Sequence, residues 1–158
     1  KALAQSVGTS GKVYGIDLST GMLNIAKAKV SKADLTERVE LKCGDAEKLP
    51  YEDNFFNAIY ISFTLELFDT PEISVVLNEC HRVLQSDGRI CIVAMSKKEK
   101  VGLMVGIYEW AQDKFTKYVD CRPIYVWKAI EDANFEIESV TEMSMFRLPV
   151  DVVLAKKI

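Results

Sequence analysis

The sequence predicts an α/β protein, with a doubly wound, mostly parallel sheet and an antiparallel strand at the carboxyl end. Three observations predict it. Short apolar runs of strand length alternate with helical stripes over most of the 158 residues, as crossover connections between parallel strands require. The first two of these runs end on an acid, Asp17 and Gly44-Asp45. The last two runs have no helical pattern between them and so can pair antiparallel.

The elements follow in order. Lys1-Ala2-Leu3-Ala4-Gln5 reads as the last turns of a helix already under way, with no initiating Met, so further chain is expected before it. Gly8 and Gly11 mark a helix stop and turn. Residues 13–16 form a buried strand ending at Asp17, and Ser19 or Thr20 caps a helix with Met22, Leu23, Ala26 and Val30 at helical spacing. Residues 38–43 alternate as a second strand. Residues 56–62 are nearly all apolar, the pattern of a strand covered on both faces. Thr70-Pro71 opens a helix with Ile73, Val76, Leu77, Cys80 and Leu84 on one face, which Gly88 ends. A fourth strand spans 89–95. Helices are expected over 101–118 and 124–133, with Asn134 in the left-handed position, and strands over 135–140 and 152–155. No repeat, linker or low-complexity tract interrupts this order, so a single domain is expected over 1–158.

Composition narrows the function. With 49% hydrophobic residues and a net charge of -3, neither disorder nor a basic nucleic-acid surface is indicated. The longest purely apolar run, 90–95, is far short of a membrane span. The cysteines at 43, 80, 91 and 121 match neither a zinc site nor a redox pair, so reduced core thiols and no metal are expected. No signal-peptide core precedes the first helix, which gives an intracellular, cytoplasmic expectation.

Ligands of open α/β sheets bind beyond the carboxyl ends of the strands. Polar residues gather at three such ends: Asp17-Leu18-Ser19, Gly44-Asp45-Ala46, and Ser62-Phe63-Thr64 with Glu66. A carboxylate there can accept both hydroxyls of a ribose, which suits an adenosine-bearing cofactor. The plainer alternative is that Asp17 and Asp45 only form turns or caps.

Four segments in this order carry a resemblance: Val13-Tyr14-Gly15-Ile16-Asp17-Leu18-Ser19 with Met22-Leu23; 44–50; 55–59; and Glu79-Cys80-His81-Arg82-Val83-Leu84 through Gly88-Arg89. They resemble the Rossmann-like class I S-adenosylmethionine-dependent methyltransferases, the ubiquinone/menaquinone-type small-molecule group above all. The resemblance implies that Asp17 holds the cofactor ribose, with Leu18 near the adenine. It gives the adenine amino group to Asp45 with Ala46 beside it, and the methionine end to Ser62 and Phe63. The helix opening at Pro71 and residues 82–84 are scaffold in that family. The family's glycine-rich loop and the central strand before it are absent, which again puts the start of the sequence partway into the expected fold. Asn57 replaces the usual Asp, and Gln85-Ser86-Asp87-Gly88 replaces the usual Lys-Pro-Gly-Gly turn.

The activity so implied is methyl transfer from S-adenosylmethionine to a small-molecule acceptor. Its chemistry needs mainly alignment, and a base only where the acceptor loses a proton. By position, Glu66 and the group Asp120, Cys121, Arg122 and Tyr125 are the candidate bases, although both stretches also read as solvated loops. No catalytic residue is assigned, and acceptor atom and oligomeric state are not encoded legibly. His81, the only histidine, lies mid-helix and reads as structural. Residues 101–110 read as a helix covering the sheet or as a lid whose Met104, Tyr108 and Trp110 wall an acceptor pocket. Two other functions compete: a non-catalytic scaffold that keeps the fold, and a nicotinamide-dependent oxidoreductase. Against the second, no Tyr has a Lys four residues later.

Overall fold

The computed structural model describes residues 1–96, 124–145 and 148–158. It divides into two compact units, Lys1–Pro50 and Tyr51–Ile158. The expected helix over 101–118, with its lid reading, and the candidates Asp120, Cys121 and Arg122 lie outside the described residues.

The first unit runs α1 (Ala2–Ser6), β1 (Val13–Asp17), α2 (Thr20–Lys32) and β2 (Val39–Cys43). Its two strands pair in parallel, with Val13 opposite Val39 and Asp17 opposite Cys43. The parallel direction follows from the crossover through α2. Gly8 leaves α1 at φ 71°, a left-handed conformation that favours glycine. At Gly11 a Cβ would meet the Val7 carbonyl oxygen at 2.2 Å, so only glycine passes. Arg38 then ties this turn to the strand entering beside it. Its guanidinium donates to the carbonyls of Ala4 at 2.5 Å and Gly11 at 3.3 Å, and also to that of Gly8. The Ala4 bond satisfies a carbonyl that the short helix leaves open. The expected apolar stripe of α2 needs one correction. Leu23 is buried and Ala26 and Val30 are half-buried, but Met22 faces solvent, because it lies one residue, about 100°, from Leu23 around the helix.

The second unit contains β3 (Phe56–Ser62), a 3-10 turn (Leu65–Leu67), α3 (Thr70–Val83), β4 (Leu84–Met95), α4 (Val126–Asp132), β5 (Phe135–Met145) and β6 (Leu148–Lys157). The sheet order is β3-β4-β6-β5. β3 and β4 are parallel, while β6 lies antiparallel to both β4 and β5, as the missing helix between the last strands predicts. The strands therefore form two ladders, β1-β2 and β3-β4-β6-β5.

The core of the second unit is β4. It lies between two neighbours, and Ile90, Ile92 and Ala94 are completely buried along it. α3 contributes Ile73, Val76, Leu77, Cys80 and Val83, five of its residues at helical spacing. Its start is fixed by a capping box in which the Asp69 N–H donates to Glu72 Oε2 at 2.8 Å, with Pro71 in the first turn. Its end differs from expectation. The helix stops at Val83, and Leu84 already belongs to β4. An irregularity separates the Phe56–Leu84 and Ala58–Arg89 pairs, and Asp87 within it takes φ 63°. Gly88 thus shapes a bulge inside a long strand rather than a helix end.

Two positions that depart from the family pattern contact each other here: Asn57 Nδ2 donates to Gln85 Oε1 at 2.6 Å. Two uncharged amides are thus paired where the family pattern has an Asp and a Lys. Arg82 is scaffold, as expected, and binds Glu79 through two nitrogens at 2.8 Å each, Asp53 at 2.8 Å and the Tyr51 carbonyl at 2.9 Å. His81 is structural too, its ring edge-on to Phe135 at 5.2 Å. The cysteine expectation holds for buried Cys80 and fails for Cys43, which is exposed because its side chain lies at the open end of β2.

Ile92→Ala should destabilise the protein by about 2–5 kcal/mol, read as a lowered urea midpoint. A loss of about 0.5 kcal/mol or less, the size of a surface change, would contradict the central place of β4.

Candidate functional site

In each unit the parallel pairing brings two carboxyl strand ends to one edge, and the sequence-selected residues lie there. In the first unit these are Asp17 and Leu18 after β1, and Asp45 and Ala46 after β2. The ladder extends past the strands, with the Gly44 N–H donating to the Asp17 carbonyl at 3.2 Å and the Cys43 thiol to the Leu18 carbonyl at 3.5 Å. Asp17, Leu18 and Asp45 are exposed and Ala46 is half-buried.

The turn-forming alternative for the two acids is correct for one oxygen of each. Asp17 Oδ1 accepts from the Ser19 N–H at 2.7 Å, and Asp45 Oδ1 from the Glu47 N–H at 2.9 Å. Both are side-chain turns that mimic a backbone turn. Ser19 then caps α2, its Oγ accepting from the Met22 N–H at 3.2 Å. Oδ2 of Asp17 and of Asp45 has no hydrogen-bond partner among the described residues. Each turn fixes a carboxylate and leaves one oxygen as an acceptor. Such a pair suits a ligand that donates from hydroxyls or an amino group, and ribose and adenine offer both. The donor set therefore fits the nucleoside half of S-adenosylmethionine. A hollow of about 410 Å³ in this unit is lined by Lys27, Val30, Ser31, Thr36, Val39, Glu40 and Leu41, at the opposite end of the strands.

In the second unit Ser62 ends β3 and Phe63 follows at φ 50°. A left-handed conformation is rare for a bulky residue and is found where surrounding structure enforces it. The enforcing bond runs from the Phe63 N–H to the Val93 carbonyl at 2.8 Å. It turns the chain sharply off the strand end, and the Thr64 hydroxyl donates back to the Ser62 carbonyl at 3.0 Å. Tyr125, 40% exposed, lies just before α4 and directly after Ile124, whose N–H donates to the Met95 carbonyl at 3.2 Å, so this candidate sits beside the carboxyl end of β4.

Glu66 overturns its solvated-loop reading. It is 1% exposed in the 3-10 turn, and its Oε1 accepts from the Met95 N–H at 2.7 Å. Oε2 is buried and has no partner among the described residues. Burial raises its pKa above the ordinary 4.5, against the smaller opposing effect of the Met95 bond. The sequence signal for this is slight: Glu66 sits between two leucines directly after a strand.

A strand-helix-strand chain with acids at its carboxyl edge has the layout of an α/β fold that binds ligands at that edge, and comparison with known proteins narrows that class. Residues 1–92 match the family described as "Methyltransferase domain", and the chain belongs to that family. It is 41% identical over 105 residues to a demethylmenaquinone methyltransferase of Bacillus mycoides, a stretch covering 66% of this chain and 43% of that protein. The chain thus spans less than half the length of the curated relatives it matches. Among solved structures, a SAM-dependent methyltransferase of Methanosarcina mazei superposes with TM-score 0.78 at 19% identity, over 99% of this chain and 85% of that one. The [4+2]-cyclase SpnF superposes with TM-score 0.79, also at 19% identity, over 99% and 69%. These two likenesses establish the fold. The family match and the curated relatives carry the family assignment. Among the described residues no helix is long and apolar enough to cross a membrane.

The buried acid gives a pH dependence of stability. Above pH about 4.5 the unfolded chain releases the Glu66 proton, while the folded chain keeps it until its raised pKa is reached. The folded state binds more protons across that window, so stability falls as pH rises through it. Glu66→Gln should remove this part of the slope. Urea midpoints of both proteins across the window would show it, and parallel curves would refute it.

Proposed function

We propose that the protein transfers a methyl group from S-adenosylmethionine to a small-molecule acceptor, with quinols of the demethylmenaquinone type as the first acceptor class. The observation that carries this is the pair of turn-anchored carboxylates with one open oxygen each, in a chain of the methyltransferase-domain family. In this reading Asp17 holds the ribose hydroxyls and Leu18 packs near the adenine. Asp45 takes the adenine amino group, with Ala46 beside it. Ser62 and Phe63 keep the role that the resemblance gives them at the methionine end.

The cofactor supplies a methyl carbon on a sulfonium sulfur, which leaves as a neutral thioether and needs no acid to do so. The protein's share is orientation: carboxylates immobilised by backbone bonds lose little freedom on binding. The quinol class is supported by the curated relatives, whose matched stretch is the cofactor half. We take the 158 residues as one working domain. The absence of a basic stripe in the sequence favours a small molecule over nucleic acid.

Asp17→Asn separates the two jobs of that side chain. The amide keeps an oxygen for the Ser19 N–H and replaces the open acceptor with a donor. Titration calorimetry of S-adenosylhomocysteine should show affinity about tenfold or more below wild type, since 1.4 kcal/mol is one decade, with NADH binding to neither. Equal affinity of wild type and variant would sink the ribose assignment, and tight NADH binding would revive the oxidoreductase.

A further inference from the structure

Resting on the methyltransferase reading, we propose that Glu66 is the group that takes the acceptor's proton during transfer. Three observations place it for that work. Glu66 follows Ser62 and Phe63 off the carboxyl end of β3, on a turn made abrupt by the left-handed Phe63. Its Oε1 is pinned by the N–H of Met95, the last residue of the neighbouring parallel strand. The carboxyl group is thus held at that shared edge by both strands. Its Oε2 is buried and unpartnered among the described residues. Native proteins seldom leave such an oxygen unused, and proton transfer to a ligand is one recurrent reason for it.

The surroundings suit a base. β4, the element packed on the turn, carries no charged side chain from Ile90 to Met95. The titratable side chains of β4 and β6 toward this end are Cys91 and Asp151, the latter opposite Ala94. Among the described residues no cation lies against the carboxyl group to hold it ionised, and burial is the main influence on its proton affinity. An ionised carboxylate in apolar surroundings is a stronger base than one in water, closer in proton affinity to phenols, enols and thiols.

For a hydroquinone acceptor the step balances as follows. The O–H proton moves to Oε2, and the O–H electron pair flows into the ring. A ring carbon's pair forms the bond to the methyl carbon, and the carbon–sulfur pair returns to sulfur. The ring then loses the proton on the methylated carbon to solvent and regains aromaticity, and Glu66 returns its proton to the oxygen that gave it, so that one proton is released overall and the product is again a hydroquinone.

The test compares wild type, Glu66→Gln and Glu66→Asp in the natural protein, with demethylmenaquinol and 1,4-naphthohydroquinone as acceptor probes. Glu66→Gln keeps an oxygen for Met95 and cannot take a proton. Its transfer rate should fall about 100-fold or more, while S-adenosylhomocysteine affinity stays within about twofold of wild type. The wild-type rate should fall at acid pH as the base is protonated. Glu66→Asp should retain that acid limb at a reduced rate, and Glu66→Gln should lack it. Independently of turnover, infrared difference titration should show a protonated-carboxyl band that disappears above the normal Glu range in wild type and is missing in Glu66→Gln. A Glu66→Gln protein with wild-type rate and acid limb would overturn the proposal and leave Glu66 as a tie between the turn and β4. A wild-type protein that fails to bind S-adenosylhomocysteine would instead overturn the methyltransferase reading beneath it.

Discussion

Parallel pairing is the constraint on which the rest depends. A parallel pair cannot be closed by a tight turn, so the chain must cross over between its strands, and both strands then finish at the same edge. β1 and β2 finish together in this way, as do β3 and β4. The consequence is chemical as well as geometric. Residues far apart in sequence, Asp17 and Asp45, or Glu66 and Met95, reach common edges with no contribution from their own side chains. Loops at those edges are free to carry polar groups because the apolar content sits in the strands behind them.

Each edge fixes its acids with backbone N–H groups, and the outcomes differ by solvation. Asp17 and Asp45 are exposed and spend one oxygen on a local turn two residues ahead. Such a bond is short-range and keeps the second oxygen in water, where its charge is cheap to maintain. Glu66 spends one oxygen on a backbone group 29 residues away, and that longer tie draws it into the interior. The same chemical group is therefore a solvent-facing hydrogen-bond acceptor at one edge and a buried carboxyl group of raised pKa at the other.

Much of the fold was legible because its signals are local. The cap of α2 lies at Ser19 and α3 opens at Thr70-Pro71, where those residues point, and Asn134 takes its left-handed φ of 60°. What stayed illegible depends on distant partners. Leu84 continues the helical spacing of α3 yet pairs with Phe56, so the helix-to-strand change at Val83 is set by the ladder and not by propensity. The full lengths of β5 and β6 were hidden for the same reason: Glu142, Ser144 and Asp151 look like loop residues until their mutual register extends the ladder.

The site shows the same division. Asp17 and Asp45 were readable as turn formers, and each turn leaves one oxygen open for the ligand role proposed for it. The Ser19 bond removes the rotational freedom of the Asp17 carboxylate before any ligand arrives, so the turn is the reason the open oxygen is well placed. Preorganisation of this kind raises affinity by lowering the ordering cost of binding. Glu66 was readable only as a position, since nothing local distinguishes a buried acid from a solvated one. Its burial comes from Leu65 on one side, fully buried, and from the Met95 tie across the edge, while Leu67 on the other side stays 55% exposed. A single 3-10 turn thus places Glu66 in the interior between one buried and one exposed leucine. That sharp change of environment within three residues follows from the left-handed Phe63, which redirects the chain at the strand end and aims the turn back over β4.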